Sequence, residues 1–346
     1  MLKPRSKQRQ RYRLGIDIGG TKIEIALLAV NGEGVFQCVY RHRMATPSTY
    51  HEILQTLVAL ITLAETASVS VVGSPLPVSD VSLGIGLPGK ITHDGLIQNS
   101  NTQCLNHQSI QSDLIPLLPS YLHTRVALMN DANCFVLSEV KQGSARVFVE
   151  KYQQSSIFGI IIGTGVGGGL FVNQQLLNGC NGIAGEWGHT TLPAEVQSTE
   201  FYQSCGVIPS NLQQARPCYC GKYNCVETYL SGAGFVHTYA CLSGLSHNRA
   251  PLTVPTILDR MSDGDWAAQK TLDLYVLQLA SAIAMVVNIV DPEVIVLGGG
   301  LSNIENLAAL VEAKLALFVF SEDCRTRVLK AELGDSSGVF GAAWLG

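Results

Sequence analysis

Apolar residues along this chain recur with two periods. Short runs rich in β-branched residues, each ending in glycine or a polar turn, alternate with longer stretches at helical spacing. RLGIDIGGTKIEIALLAV reads as strand, glycine turn and strand; YHEILQTLVALITLAETA reads as a helix; VSLGIGLPG and RVALMND read as strands closed by a turn. IFGIIIGTGVGGGLFV repeats the opening design: Gly15, Ile16, Ile18 and Gly19 superimpose on Gly159, Ile160, Ile162 and Gly163, two apolar strands that break at the same glycine. PEVIVLGGGLSN gives another strand ending in glycines, followed by an amphipathic helix, and GVFGAAWLG a short apolar segment expected to pack back on the first half. The pattern predicts α/β layers around mixed sheets, in two duplicated halves.

Length and composition agree with that division. A chain of 346 residues is long for one core and suits two domains with a cleft, and 47% hydrophobic against 14% charged residues leaves ample apolar surface to bury. The net charge of −4 argues against a general attraction to nucleic acid, and the basic run MLKPRSKQRQRYR reads as a solvated tail. Asp17 and Lys22 interrupt the apolar segment that an export signal needs after such charges, which predicts a cytoplasmic protein. The apolar run from Tyr275 to Val290 falls short of the roughly 18–20 residues of a bilayer span and carries Gln278 and Asn288, so it reads as a buried helix with no membrane role.

Four features carry candidate chemistry. Asp17 stands where the second copy has Ile161; a lone strand carboxylate needs a cation or charged partner, or else amides at the strand end. DIGGTK, GTGVGGG and LGGGLSN are three glycine turns at strand ends; one alone is a hairpin, but three together favour a nucleotide lying across a cleft. Asn130 and Asp131 stand at a strand-to-helix junction, where either residue caps a helix and an aspartate can also serve as a base. CYCGKYNC sets Cys218, Cys220 and Cys225 within eight positions, as three of the four ligands of a zinc site, as metal-free thiols, or as a Cys-x-Cys redox pair. The other seven cysteines are scattered as small core residues are.

GIDIGGTKIEIALL, GIGLPG, NDAN, IIIGTGVGGGL, NGIAGEWGH, CYCGKYNCVETYLSG and DPEVIVLGGGLSN follow one another in an order and spacing that resembles the ROK family of bacterial sugar kinases, from Leu14 onward. The resemblance implies a two-domain fold of the actin and hexokinase type, a duplicated ribonuclease H-like architecture with an interdomain cleft. Residues 1–129 would form the smaller domain, with 335–346 packed back on it, and 130–334 the larger domain with a zinc-binding insertion. It implies that Gly19, Gly20, Thr21 and Lys22 approach the phosphates of ATP, that Gly163, Thr164 and Gly165 form a second phosphate turn, and that Gly298, Gly299 and Gly300 lie near the adenosine. Asp17 would then sit close to Mg²⁺, and Asp131 would be the base that accepts the proton of the attacking sugar hydroxyl. Asn130, Glu186, His189 and Glu227 resemble the family's sugar contacts, with Asn101 a weaker match. His189 would complete a structural Zn²⁺ site with the three cysteines, and Asn224, where the family has glycine, would keep the turn by adopting positive φ.

The expected activity is therefore ATP-dependent phosphorylation of a hexose at its 6-hydroxyl. NGIAGEWGH and the C-terminal GDSSGVFGAAWLG look most like the manno(fructo)kinase branch, which makes fructose the expected substrate; NDANCFVLSE and GTGVGGGL are also similar to N-acetylglucosamine kinases, and glucokinase is a further alternative. The same family contains sugar-responsive repressors, but the dozen residues ahead of Leu14 are too few for their DNA-binding domain. Dimers are common in the family, so the resemblance leaves a homodimer open to this chain.

Overall fold

Residues 11–30, 36–72, 81–151, 154–208, 212–245 and 252–346 are described in this computed structural model, and the first ten residues of the basic run lie outside them. The strands are β1 (Arg11–Ile18), β2 (Lys22–Val30), β3 (Phe36–Ala45), β4 (Val81–Leu87), β5 (Lys90–Ile91), β6 (Ile97–Gln98), β7 (Val126–Asn130), β8 (Ser156–Ile162), β9 (Val166–Val172), β10 (Gln175–Leu176), β11 (Val294–Gly298) and β12 (Arg327–Lys330). They build two five-stranded sheets of matching order, β3-β2-β1-β4-β7 and β10-β9-β8-β11-β12, with β5 and β6 as a separate ribbon. In each sheet the first two pairings are antiparallel and the last two parallel. The internal repeat read from β1 and β8 therefore extends to whole sheets.

One compact unit comprises Met1–Lys141, Asn178–Ile183 and Asp335–Gly346; the other comprises Gln142–Leu177 and Ala184–Gly334. The division falls after Lys141 instead of before Asn130, because helix Asp131–Gln142 starts directly from the end of β7 and its buried face belongs to the first unit.

In the first unit, Leu14, Ile16 and Ile18 of β1 and Ile23, Ile25 and Leu27 of β2 are fully enclosed. Helix Tyr50–Val72 covers them with Ile53, Leu57, Leu60, Ile61 and Ala64, a helical stripe in which each large side chain contributes about 1.5–3 kcal/mol of burial. Helix Ser337–Ala343 closes the sheet from the other side. Its backbone comes so near that a Cβ at Gly15 would fall 2.1 Å from the Val339 carbonyl oxygen, and one at Gly84 would fall 1.8 Å from that of Ala342. Gly15 and Gly84 are register partners on adjacent strands, so the pair forms a flat channel for the C-terminal helix. Beside it, buried Glu24 is held by Arg43 at 2.8 Å and Arg41 at 3.4 Å, both from β3.

In the second unit, helix Trp266–Val290 is the central element. Asp265 caps its start by accepting the Ala268 N–H, and Asp291 ends it in a left-handed conformation. By length and composition this helix and Tyr50–Ser70 could cross a membrane, but most of its apolar window is buried, with Leu272, Tyr275, Leu279, Ile283 and Val286 in the core of the unit.

Gly84→Ala is expected to lower stability by about 3 kcal/mol, because the helix backbone cannot give way as a side chain would. Thermal and denaturant unfolding against wild type measures it; an unchanged midpoint would refute the close-approach argument.

Candidate active site and metal centre

The candidate residues of the first unit gather at the ends of β1 and β7. The turn Gly19–Thr21 is set by a hydrogen bond from Gly19 N–H to the Lys22 carbonyl (2.9 Å) and is tied to β3 by Thr46, whose hydroxyl donates to the Gly19 carbonyl (2.6 Å). Asp17, one residue before the end of β1, is flanked by two glycines: a Cβ at Gly338 would lie 2.6 Å from its carboxylate and one at Gly86 would lie 3.4 Å away. Its pKa is pushed up to about 7, first by desolvation, then by the negative charges of Asp131 and Glu24, against the pull of Lys22 and Arg43. That mutual repulsion of acids fits a divalent cation, which would relieve it.

Asn130 ends β7 and Asp131 opens the next helix. The Asn130 side chain accepts the N–H of Ala132 (2.8 Å) and donates to the Gly89 carbonyl (2.9 Å), and Asp131 also accepts from Ala132 N–H (2.8 Å). Asn130 thus caps the helix as its type favours, and the Ala132 amide holds the carboxylate of Asp131 at the strand end. Asn101 is exposed on the loop after β6.

The second unit brings its candidate residues together around the β8–β9 hairpin. Gly163 N–H donates to the Gly165 carbonyl (2.9 Å), and the Gly163 carbonyl accepts from Gly232 N–H (2.8 Å). The Gly298–Gly300 turn meets the same place: Gly299 has φ +82°, and a Cβ there would collide with the Ile162 carbonyl at 2.4 Å. Thr164 and Glu227 share a pocket of about 450 Å³ with Arg216, Tyr219, Ser231 and His237. Burial pushes the Glu186 carboxyl up; His189 pulls it down and Glu227 adds to the rise.

His189 and the three cysteines form one cluster, with ligand atoms all within 4.8 Å of one another. Cys218 Sγ lies 3.6 Å from His189 Nδ1, and Cys220 Sγ lies 3.6 Å from Cys225 Sγ. A tetrahedral zinc with ordinary bond lengths requires ligand separations of about 3.5–3.8 Å, so the donor set fits the ion. Without a cation, burial and then the neighbouring sulfurs push the Cys225 thiol up to about 12, and metal binding would release its proton. Cys205 belongs to a different cluster, packed with Tyr202.

Asn224 takes the positive φ expected of it, +57°. Its side-chain oxygen also accepts the Arg216 N–H (2.8 Å), a bond glycine cannot make. Arg216 and Tyr219 carried no sequence signal. The buried Arg216 guanidinium stacks 4.0 Å over the Tyr229 ring and donates to the carbonyls of Thr228 and Gly234 and the hydroxyl of Thr238. Tyr219, between two of the cysteines, pairs its hydroxyl with His189 Nε2 at 2.9 Å.

The ROK family profile matches residues 13–346. The chain belongs to the ROK family. It is 34% identical over 333 residues to an N-acetyl-D-glucosamine kinase of Pectobacterium carotovorum, covering 96% of this chain and 97% of that protein. It is also 34% identical to an N-acetylgalactosamine kinase of Shewanella sp., with 96% of each covered. Among solved structures it resembles the ROK hexokinase of Thermus thermophilus, with a TM-score of 0.72, 23% identity and 96% of each chain covered. This ROK sugar kinase has the two-domain, actin-like α/β fold of that group.

Two outcomes follow from the geometry. The purified chain is expected to carry one zinc, and Cys218→Ser to lose it and melt roughly 5 °C lower or more; elemental analysis and calorimetry read both, and an unaltered melting point after metal loss would refute the structural role. In metal-free protein, folded Asp17 keeps its proton up to about pH 7 while the unfolded chain releases it near 3.8. The folded state binds more protons between those values, so stability falls as pH rises through them. Asp17→Asn should therefore exceed wild type by on the order of 4 kcal/mol near pH 8 and match it below about pH 4. A pH series of denaturant melts with no such divergence would contradict the assignment.

Proposed function

We propose that this ROK sugar kinase transfers the γ-phosphoryl group of ATP to the 6-hydroxyl of an N-acetylhexosamine, with N-acetylglucosamine the preferred acceptor. The observation that carries the choice is the match, over nearly the full length of both proteins, to kinases named for N-acetylated amino sugars. Fructose, expected from the GEWGH and C-terminal segments, has no such support and becomes the comparison substrate.

In this reading Asp131 is the general base, held at the strand end by the Ala132 amide, and it takes the proton of the sugar hydroxyl as that oxygen attacks. Glu186, His189 and Glu227 contact the sugar with Asn130, and Asn101 is a further candidate. Phosphoryl transfer has a loose transition state, so positioning and charge stabilisation lower the barrier more than proton removal does. The Gly19–Lys22 and Gly163–Gly165 turns offer backbone N–H groups to phosphate oxygens, and Gly298–Gly300 lies near the adenosine. Mg²⁺, when bound beside Asp17, neutralises charge on the transferring group. Zinc on His189, Cys218, Cys220 and Cys225 fixes the imidazole that meets the sugar. The enzyme is inferred to act in the cytoplasm.

Coupled assays over N-acetylglucosamine, N-acetylgalactosamine, fructose, mannose and glucose are expected to rank N-acetylglucosamine first in kcat/KM. Asp131→Asn is expected to lower kcat by roughly 10²–10⁴ with sugar KM little changed. Fructose ranking first would overturn the substrate choice; full activity in Asp131→Asn would overturn the base.

A further inference from the structure

One oxygen of Glu227 has work within the second unit. Oε2 accepts the N–H of Val166 at 2.9 Å, at the point where the Gly163–Gly165 turn enters β9. The turn packs tightly on that oxygen, since a Cβ at Gly165 would fall 2.6 Å from it. Helix Val226–Leu230, which carries Glu227, follows directly from Cys225, so the carboxylate is anchored on one side by the cysteine loop and on the other by the turn. Glu227 and Thr164 line the same pocket, so the carboxylate faces the space next to the turn. With Oε2 committed to the backbone, Oε1 remains for a ligand hydroxyl.

We propose that Glu227 is a positioning residue for the Gly163–Gly165 turn as well as a sugar contact, so that one carboxylate ties hexose recognition to phosphate binding. The inference rests on the reading of that turn as phosphate-binding. A sugar hydroxyl that draws on Oε1 orients the whole carboxylate, and Oε2 passes that orientation to the Val166 amide and the turn beside it. Sugar and nucleotide then favour each other's binding by equal factors.

Calorimetric titration with ADP in the absence of sugar, on the full chain with its metal, tests the link. Glu227→Ala removes the acceptor and is expected to weaken ADP about tenfold, the scale of one amide bond to a carboxylate. Glu227→Gln keeps an oxygen for Val166 and is expected to weaken ADP by less than about threefold, although both variants bind N-acetylglucosamine more weakly. Gly165→Ala attacks the same contact from the turn and is expected to weaken N-acetylglucosamine titrated without nucleotide. Unchanged ADP affinity in Glu227→Ala, equal weakening by the Ala and Gln variants, or unchanged sugar affinity in Gly165→Ala would overturn the link. Zinc content and melting temperature check that each variant is folded, and if Glu227→Ala is not, the Gln and Gly165 variants decide. A wild-type chain that bound no ADP would instead sink the phosphate-turn reading itself.

Discussion

The structure depends on backbone meeting backbone where no side chain fits. In the first unit the C-terminal helix reaches the sheet only because Gly15 and Gly84 lie side by side beneath it, and it reaches helix Asp131–Gln142 because Gly341 faces the Cys134 carbonyl. In the second unit Gly299 lies against the Ile162 carbonyl and Gly232 bonds to Gly163, which gathers three chain segments at one strand end. Glycine costs conformational entropy at each of these positions. What it permits is donors and carboxylates crowded into a small volume, which is what a phosphoryl-transfer site requires.

The same crowding sets the electrostatics. Burial, and then the charges of Asp131 and Glu24, raise the proton affinity of Asp17 in the first unit, and burial with the charge of Glu227 raises that of Glu186 in the second. The two clusters are managed differently. Glu24 has its arginines on the neighbouring strand, whereas Asp17 is buried between two glycines that pack against its carboxylate. An acid buried that way is destabilising when ionised, and under the proposed function a bound cation would offset that cost.

Much of this was legible in the sequence because it is local. Short apolar runs ending in glycine or a turn marked β1, β4, β8 and β11, and the repeat between Ile16 and Ile160 pointed to duplicated halves. Asn224 was readable because the family it resembles has glycine there and asparagine tolerates positive φ. What escaped was long-range. Val166 and Glu227 lie 61 positions apart and the bond uses a main-chain N–H, which every residue but proline has, so no letter marks it. Arg216 reads as a surface cation until its ring and carbonyl partners are assembled from Thr228 to Thr238. The expected division before Asn130 shares this limit: a strand-to-helix junction looks like a break in the pattern, although helix Asp131–Gln142 groups with the strand it leaves.

Tyr219 shows how the two kinds of information combine. In the sequence it is only the residue between Cys218 and Cys220, in a loop that the family resemblance reads as metal-binding. In the fold its hydroxyl meets His189 Nε2, while Nδ1 faces the thiols. If Nδ1 binds metal, Nε2 must carry the proton and donate it, so the ring's tautomer and tilt are both fixed. Under the proposed function, a sugar oxygen that accepted this proton would have to compete with Tyr219 for it. If His189 meets the sugar as proposed, the cost of that exchange would fall on every acceptor hydroxyl alike, so the loop would hold the ring still and discrimination between sugars would have to come from the carboxylates around it.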